Sequence, residues 1–202
     1  MTDPISVIFD LGGVVFQWNP DDIIRGFCAD EAIRSVLKRE VFKHPDWLEM
    51  DRGVLQEHEA IQRFHRRTGL SLADISALMQ TVKDSLLPIP ETVELLEELS
   101  AEDVPLYCLS NMSATTSNYL RARHSFYRVF RGIVISAEIQ LIKPDPAIFE
   151  YIVERFSLTR EDTVFIDDHP PNVESAHRLG FKTLLFSDPI QCRKTLRKLL
   201  QR

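Results

Sequence analysis

Asp10, the Ser110–Asn111 pair and the Asp167–Asp168 pair each stand where an apolar run of the chain stops, and Lys143 lies on the loop after another such run. Taken singly these residues have ordinary uses. An Asp after a strand forms turns or caps helices, Ser-Asn does the same, and a lysine before Pro144 is a common surface group. Taken together they imply chemistry, because several carboxylates brought to one place repel one another and are costly to bury without a counterion. The set therefore predicts a site built around a cation.

The runs that would carry these residues are Ile5–Asp10, Val104–Ser110, Gly132–Ser136, Thr163–Asp168 and Lys182–Phe186. Their length and their Val, Ile, Leu and Phe content match strands covered on both faces. Helical periodicity fills the gaps. Ile148, Phe149, Ile152, Val153 and Phe156 recur at helical steps behind an Asp145 cap and Pro146 at the first helical position. Glu91–Ala101 places Val93, Leu96 and Leu99 on one side after Pro90, and Asp188–Pro189 opens a last helix. Strands alternating with helices predict an α/β fold with a five-stranded parallel sheet, whose ligands lie beyond the carboxyl ends of the strands.

One stretch breaks the rhythm. From Asn19 to Leu87 the pattern is helical throughout, with Ile75, Leu78, Met79, Val82 and Leu86 on one face. A crossover needs about a dozen residues, so this is an inserted all-helical lobe, and it leaves from the carboxyl end of strand one. The expected division is residues 1–18 and 88–202 for the α/β core and 19–87 for the lobe. Trp47, Glu49, Asp51 and Arg52, before a Gly53 turn, either face the ligand or form an exposed polar turn.

A net charge of −6 argues against a general nucleic-acid binder, and the short Arg-rich pieces 121–131 and 193–202 read as solvated helix faces. Cys28, Cys108 and Cys192 are widely spaced and form no C-x-x-C pair, so neither a disulfide framework nor a zinc site is expected. No basic segment leads into a long apolar stretch. The expectation is a cytoplasmic protein without membrane or nucleic-acid partners, acting on a small molecule; the sequence is silent on oligomeric state.

The order V-I-F-D-L-G-G-V-V-F, Y-C-L-S-N, L-I-K-P-D-P-A-I-F, V-F-I-D-D-H-P-P-N-V-E-S-A-H-R-L-G resembles the four motifs of the haloacid dehalogenase-like superfamily. The inserted lobe resembles its helical cap. The resemblance covers essentially the whole chain and implies a Rossmann-like core and a phosphohydrolase of small phosphorylated metabolites. Asp10 would be the nucleophile, giving an aspartyl-phosphate. Mg²⁺ would be held by Asp10, the Gly12 carbonyl and Asp167, with Asp168 direct or through water. Ser110, the Asn111 backbone and Lys143 would hold the phosphoryl oxygens, Lys143 also offsetting charge in the transition state. Asn172 would orient the metal ligands or cap its helix.

Gly12 departs from the pattern. Phosphatases of this superfamily usually carry a second Asp there as general acid and base, a contribution of about 10²- to 10⁴-fold. Three consequences remain open: a substrate with a good leaving group, such as a sugar 1-phosphate; a proton donor elsewhere, at His169 or in the lobe between His44 and His58; or a phosphate-binding regulatory protein with little turnover. A metal-independent haloacid dehalogenase is a further alternative, against which Gly12 and the paired acids Asp167–Asp168 speak. A phosphomutase leans on the same missing carboxylate.

Overall fold

The computed structural model describes residues 5–201; Arg202, the end of the C-terminal basic piece, and the first residues of the chain lie outside it. The five apolar runs form the strands β1 (Ser6–Phe9), β2 (Leu106–Ser110), β3 (Gly132–Ile135), β4 (Thr163–Asp167) and β5 (Lys182–Leu185). All neighbours pair in parallel, in the order β3-β2-β1-β4-β5. This is the Rossmann-like α/β sheet that the sequence predicts. The chain runs outward from β1 through β2 to β3 and resumes with β4 on the other side of β1, so the strand order reverses at β1 and its carboxyl end borders the crevice where such sheets bind ligands.

Successive strand residues point to opposite faces. Val7 and Phe9 join one buried cluster with Leu96, Leu120 and Leu196. Ile8 joins another with Leu109, Phe149 and Phe165. Each face is thus covered by helices, which is why the strands read as continuous apolar runs rather than as alternating ones.

Between β1 and β2 lie five α-helices and then a sixth: α1 (Pro20–Phe27), α2 (Glu31–Leu37), α3 (Pro45–Arg52), α4 (Glu57–Thr68), α5 (Leu72–Ser85) and α6 (Pro90–Ala101). A π-helical turn at Lys38–Phe42 joins α2 to α3. Helices α1 to α5 enclose a hydrophobic cluster of their own, built on Leu37, Phe64, Ile75, Leu78 and Val82. The chain enters and leaves this lobe at one neck, where Gln17 N–H donates to Leu87 O and Ile89 N–H to Val15 O, both at 2.8 Å.

The remaining helices are α7 (Ala114–Arg123), α8 (Ser136–Ile139), α9 (Pro146–Phe156), α10 (Pro170–Arg178) and α11 (Pro189–Leu200). Asp145 caps α9 through a 3.0 Å bond from the Ala147 N–H, with Pro146 at its first position, and Asp188 caps α11 through the Gln191 N–H at 2.9 Å. Among the described residues no helix is long and apolar enough to cross a membrane. Cys108 and Cys192 are buried and all three cysteines are free thiols.

Candidate functional site

The residues at the strand ends converge. Asp10 follows β1, Ser110 closes β2 with Asn111 after it, and Asp167 closes β4 with Asp168 after it. Oxygens of Asp10, Asp167 and Asp168 lie within 4.8 Å of one another. Lys143, on the loop between α8 and α9, enters from the side with its side chain almost fully buried. Its Nζ pairs with Asp10 Oδ1 at 3.0 Å and Asp167 Oδ2 at 2.6 Å, and donates to Leu109 O at 2.9 Å.

Without a metal the acids should simply repel, but Lys143 is a cation built into the fold between two of them. Burial pulls its pKa down; Asp10 and Asp167 outweigh that and hold it above the ordinary lysine value. Burial pushes Asp10 up, to about 7, against the pull of Lys143, while the negative charge of Asp167 pushes the same way as burial. Asp168 is also raised, first by burial and then by Asp167.

Each member has a holder. Asn111 clasps the Lys143 backbone from both sides: Nδ2 donates to Lys143 O at 2.9 Å, and Lys143 N–H donates to Asn111 Oδ1 at 2.8 Å. The Asn111 side chain is therefore committed to placing the lysine. Asp167, wholly buried, accepts from the His169 N–H at 2.8 Å and from Asn172 Nδ2 at 3.1 Å to either oxygen. Asn172 thus holds the Asp167 carboxylate in place. Its own Oδ1 is buried with no partner, an orphan acceptor beside the acids that a water of a hydrated cation would satisfy.

Two supports escaped the sequence reading. Gly13 sits at φ 76°, and a Cβ there would run into the Asp168 carboxylate, so the second glycine of L-G-G leaves room for the acid. Its signal was the Gly-Gly pair itself. Ser136, at the end of the third apolar run, accepts from Met112 N–H at 2.9 Å and donates to the backbone carbonyl of Asp51. It joins the sheet edge to α3 of the helical lobe, and no local pattern announces such a link.

Above the carboxylates, the sheet edge and the lobe enclose a cavity of about 660 Å³. Asp10, Gly12, Ser110, Asn111, Lys143 and Asp168 form its floor, and Asp167 lies buried beneath. Trp18, Phe42, Trp47, Leu48, Met79 and Val82 form much of its roof. Trp47 stacks on Phe42 at 4.8 Å between centroids and lies 5.9 Å from Trp18. Asp51 and Arg52 also line the cavity. Glu49, His44 and His58 do not: Glu49 pairs with Arg63, His44 caps α3, and His58 is exposed on α4.

Residues 30–186 match the haloacid dehalogenase-like hydrolase family. The chain belongs to that family. This haloacid dehalogenase-like hydrolase is 28% identical over 195 residues to the sesquiterpene phosphatase astK of Aspergillus oryzae, covering 96% of each chain. A family hydrolase from Porphyromonas gingivalis superposes with a TM-score of 0.80 at 25% identity, covering 98% of both chains. A family enzyme from Bacteroides thetaiotaomicron, solved with magnesium and inorganic phosphate, superposes with a TM-score of 0.74 at 22% identity over 92% of this chain and 95% of the other.

Proposed function

We propose that this hydrolase is a Mg²⁺-dependent phosphomonoesterase acting on the phosphate ester of an apolar alcohol. The observation that carries the reading is the division of one cavity into a carboxylate and lysine floor and an aromatic and aliphatic roof. Asp10, Asp167, Asp168 and the Gly12 carbonyl would hold the cation, a hard-oxygen set suited to Mg²⁺. When bound, that ion would neutralise phosphoryl charge beside the nucleophile.

The chain's own groups do the rest. An Asp10 oxygen attacks phosphorus while the ester oxygen departs, and water then releases phosphate from the aspartyl group. Leu11 N–H donates to Asp10 Oδ1 at 2.7 Å and fixes the carboxylate. Lys143, Ser110 and the Asn111 N–H hold the non-bridging oxygens, with Lys143 offsetting the developing charge. Residues 19–87 act as the cap that closes the site and excludes water.

The roof favours an apolar leaving group over the sugar phosphate that Gly12 alone would suggest, because it offers Trp, Phe, Leu, Met and Val where a sugar needs hydrogen-bonding side chains. The name of the Aspergillus relative, a sesquiterpene phosphatase, points the same way. The test measures phosphate release with Mg²⁺ from n-alkyl and prenyl monophosphates of increasing length and from glucose 1-phosphate. Each buried methylene contributes about 0.8 kcal/mol, so kcat/KM should climb with chain length and exceed that for the sugar. A flat series would reject the apolar substrate. Asp10→Asn should abolish release while the protein still melts cooperatively; retained turnover would remove Asp10 as nucleophile. Halide release from a 2-haloacid that is indifferent to Mg²⁺, with no phosphate release from the esters, would favour the dehalogenase alternative.

A further inference from the structure

A phosphomonoester of an unactivated alcohol needs a proton for its leaving oxygen, and Gly12 cannot give one. Among the described residues, six titratable or charged ones line the cavity: Asp10, Asp51, Arg52, Lys143, Asp168 and His169. Asp10 is the attacking group and Asp168 belongs to the cation site. Lys143 is locked between two carboxylates, and a guanidinium does not release its proton in a protein. Two remain. His169 immediately precedes α10 and follows Asp168, so it belongs to the same sheet edge as the nucleophile. Asp51 descends from the roof.

Side decides between them. Displacement at phosphorus places the attacking and leaving oxygens roughly in line. With Asp10 on the floor, the leaving oxygen points to the roof, where the apolar group it carries would be lodged. We propose that Asp51, from the inserted lobe, is the general acid and base that replaces the carboxylate missing at position 12. This rests on the phosphomonoesterase reading above. In the first step the bond between Asp10 and phosphorus forms as the bond from phosphorus to the ester oxygen breaks. The electron pair goes to that oxygen, which takes the Asp51 proton and leaves as the alcohol. In the second step Asp51 carboxylate takes a proton from water as the water oxygen bonds to phosphorus, and phosphate departs from a regenerated Asp10 carboxylate.

The fold prepares Asp51 for this work. Its backbone carbonyl accepts from Ser136 Oγ, and the next turn carries Gly53 at φ 81° against the Ala137 backbone, so the end of α3 is pinned to the sheet edge. Burial pushes its carboxyl up to about 8; donors from the Ser113 backbone and the Trp47 indole oppose the rise, and the charge of Asp10 adds to it. A carboxyl so placed carries its proton near neutral pH, as an acid must. Gly12 has no positive φ, and a Cβ there would meet only Trp18 carbons, at 3.8 Å. A carboxylate can therefore be put back at position 12.

The experiment compares an n-alkyl phosphate with p-nitrophenyl phosphate, whose leaving group needs no proton, in wild type, Asp51→Asn, and Asp51→Asn combined with Gly12→Asp. Asp51→Asn should lower kcat/KM for the alkyl ester by about 10²- to 10⁴-fold and for the aryl ester by less than about tenfold. Gly12→Asp should then restore alkyl turnover. Equal loss on both esters, or no loss on either, overturns the assignment; loss in a His169→Asn variant instead would move the role to the floor. Should Asp51→Asn not fold, wild type and His169→Asn decide together: kcat/KM should vary weakly with leaving-group pKa from aryl to alkyl esters in both, and a steep dependence in wild type, or one that appears in His169→Asn, overturns the assignment. Turnover by Asp10→Asn would instead undo the underlying reading.

Discussion

The floor and the roof of the cavity are built on different principles. The floor is a fixed charge pattern: Asp10, Asp167 and Asp168 sit at or beside strand ends, where the sheet's hydrogen bonds dictate backbone position, and Lys143 is held between two of them by the Asn111 clasp on its backbone. The roof is a packed helical surface, with Trp18, Phe42 and Trp47 leaning on one another and on the lobe's own core. The carboxylates and their lysine thus belong to the rigid part, while the apolar lining, with Asp51 among it, belongs to the part whose side chains can change without disturbing the sheet.

The sharpest way to break the floor is Lys143→Met. It leaves Asp10 and Asp167 buried with no counter-charge, and removing one partner of a buried pair costs about 3–5 kcal/mol. Turnover should vanish, and without Mg²⁺ the melting temperature should fall steeply. Added Mg²⁺ should recover part of that loss, because a bound cation stabilises the native state by mass action and supplies the charge that was removed. An unchanged melt without Mg²⁺ would mean that the lysine is not the floor's resident counterion.

A smaller effect is expected where roof meets floor. Gly53→Ala places a Cβ into the Ala137 backbone at φ 81°, and backbone cannot yield as a flexible side chain can. The variant should lose more than about 1 kcal/mol of stability and should lose kcat on alkyl esters, since the end of α3 bearing Asp51 shifts. Phosphate affinity, set by the floor, should change less. If phosphate affinity and alkyl turnover fell together, roof and floor would not be separable units.

The same division explains what the sequence could tell. Strand ends are local: an apolar run stops, a polar residue follows, and the sheet brings Asp10 to Asp167 although they are 157 positions apart. Hence the sheet, its five strands, the caps Asp145 and Asp188, and the polar residues gathered at one edge were all legible. The contact between Ser136 and Asp51 spans 85 residues and depends on how α3 docks against α8, which no periodicity records. Asp51 thus read equally well as an exposed polar turn. Lys143 was legible as a loop lysine, but its burial between two acids was not, because burial is settled by Asn111 clasping its backbone from a different strand end.

The mildest prediction tests the roof alone. Leu48 lines the cavity, yet it is 59% exposed and belongs to no buried cluster, so it forms the lip rather than the core. Leu48→Ser should therefore leave stability within about 0.5 kcal/mol of wild type. Full burial of a leucine side chain contributes about 1.5–3 kcal/mol, and a lip residue should deliver roughly a third to a half of that to a long apolar chain. About 1 kcal/mol corresponds to a rise of about fivefold in KM for a long-chain alkyl phosphate. Because the contact exists equally in the bound substrate and the transition state, kcat should hold. A short-chain ester, which does not reach the lip, should show the same KM in both proteins. A KM shift common to short and long chains would place Leu48 in the reaction's immediate surroundings and erase the boundary between roof and floor at that point.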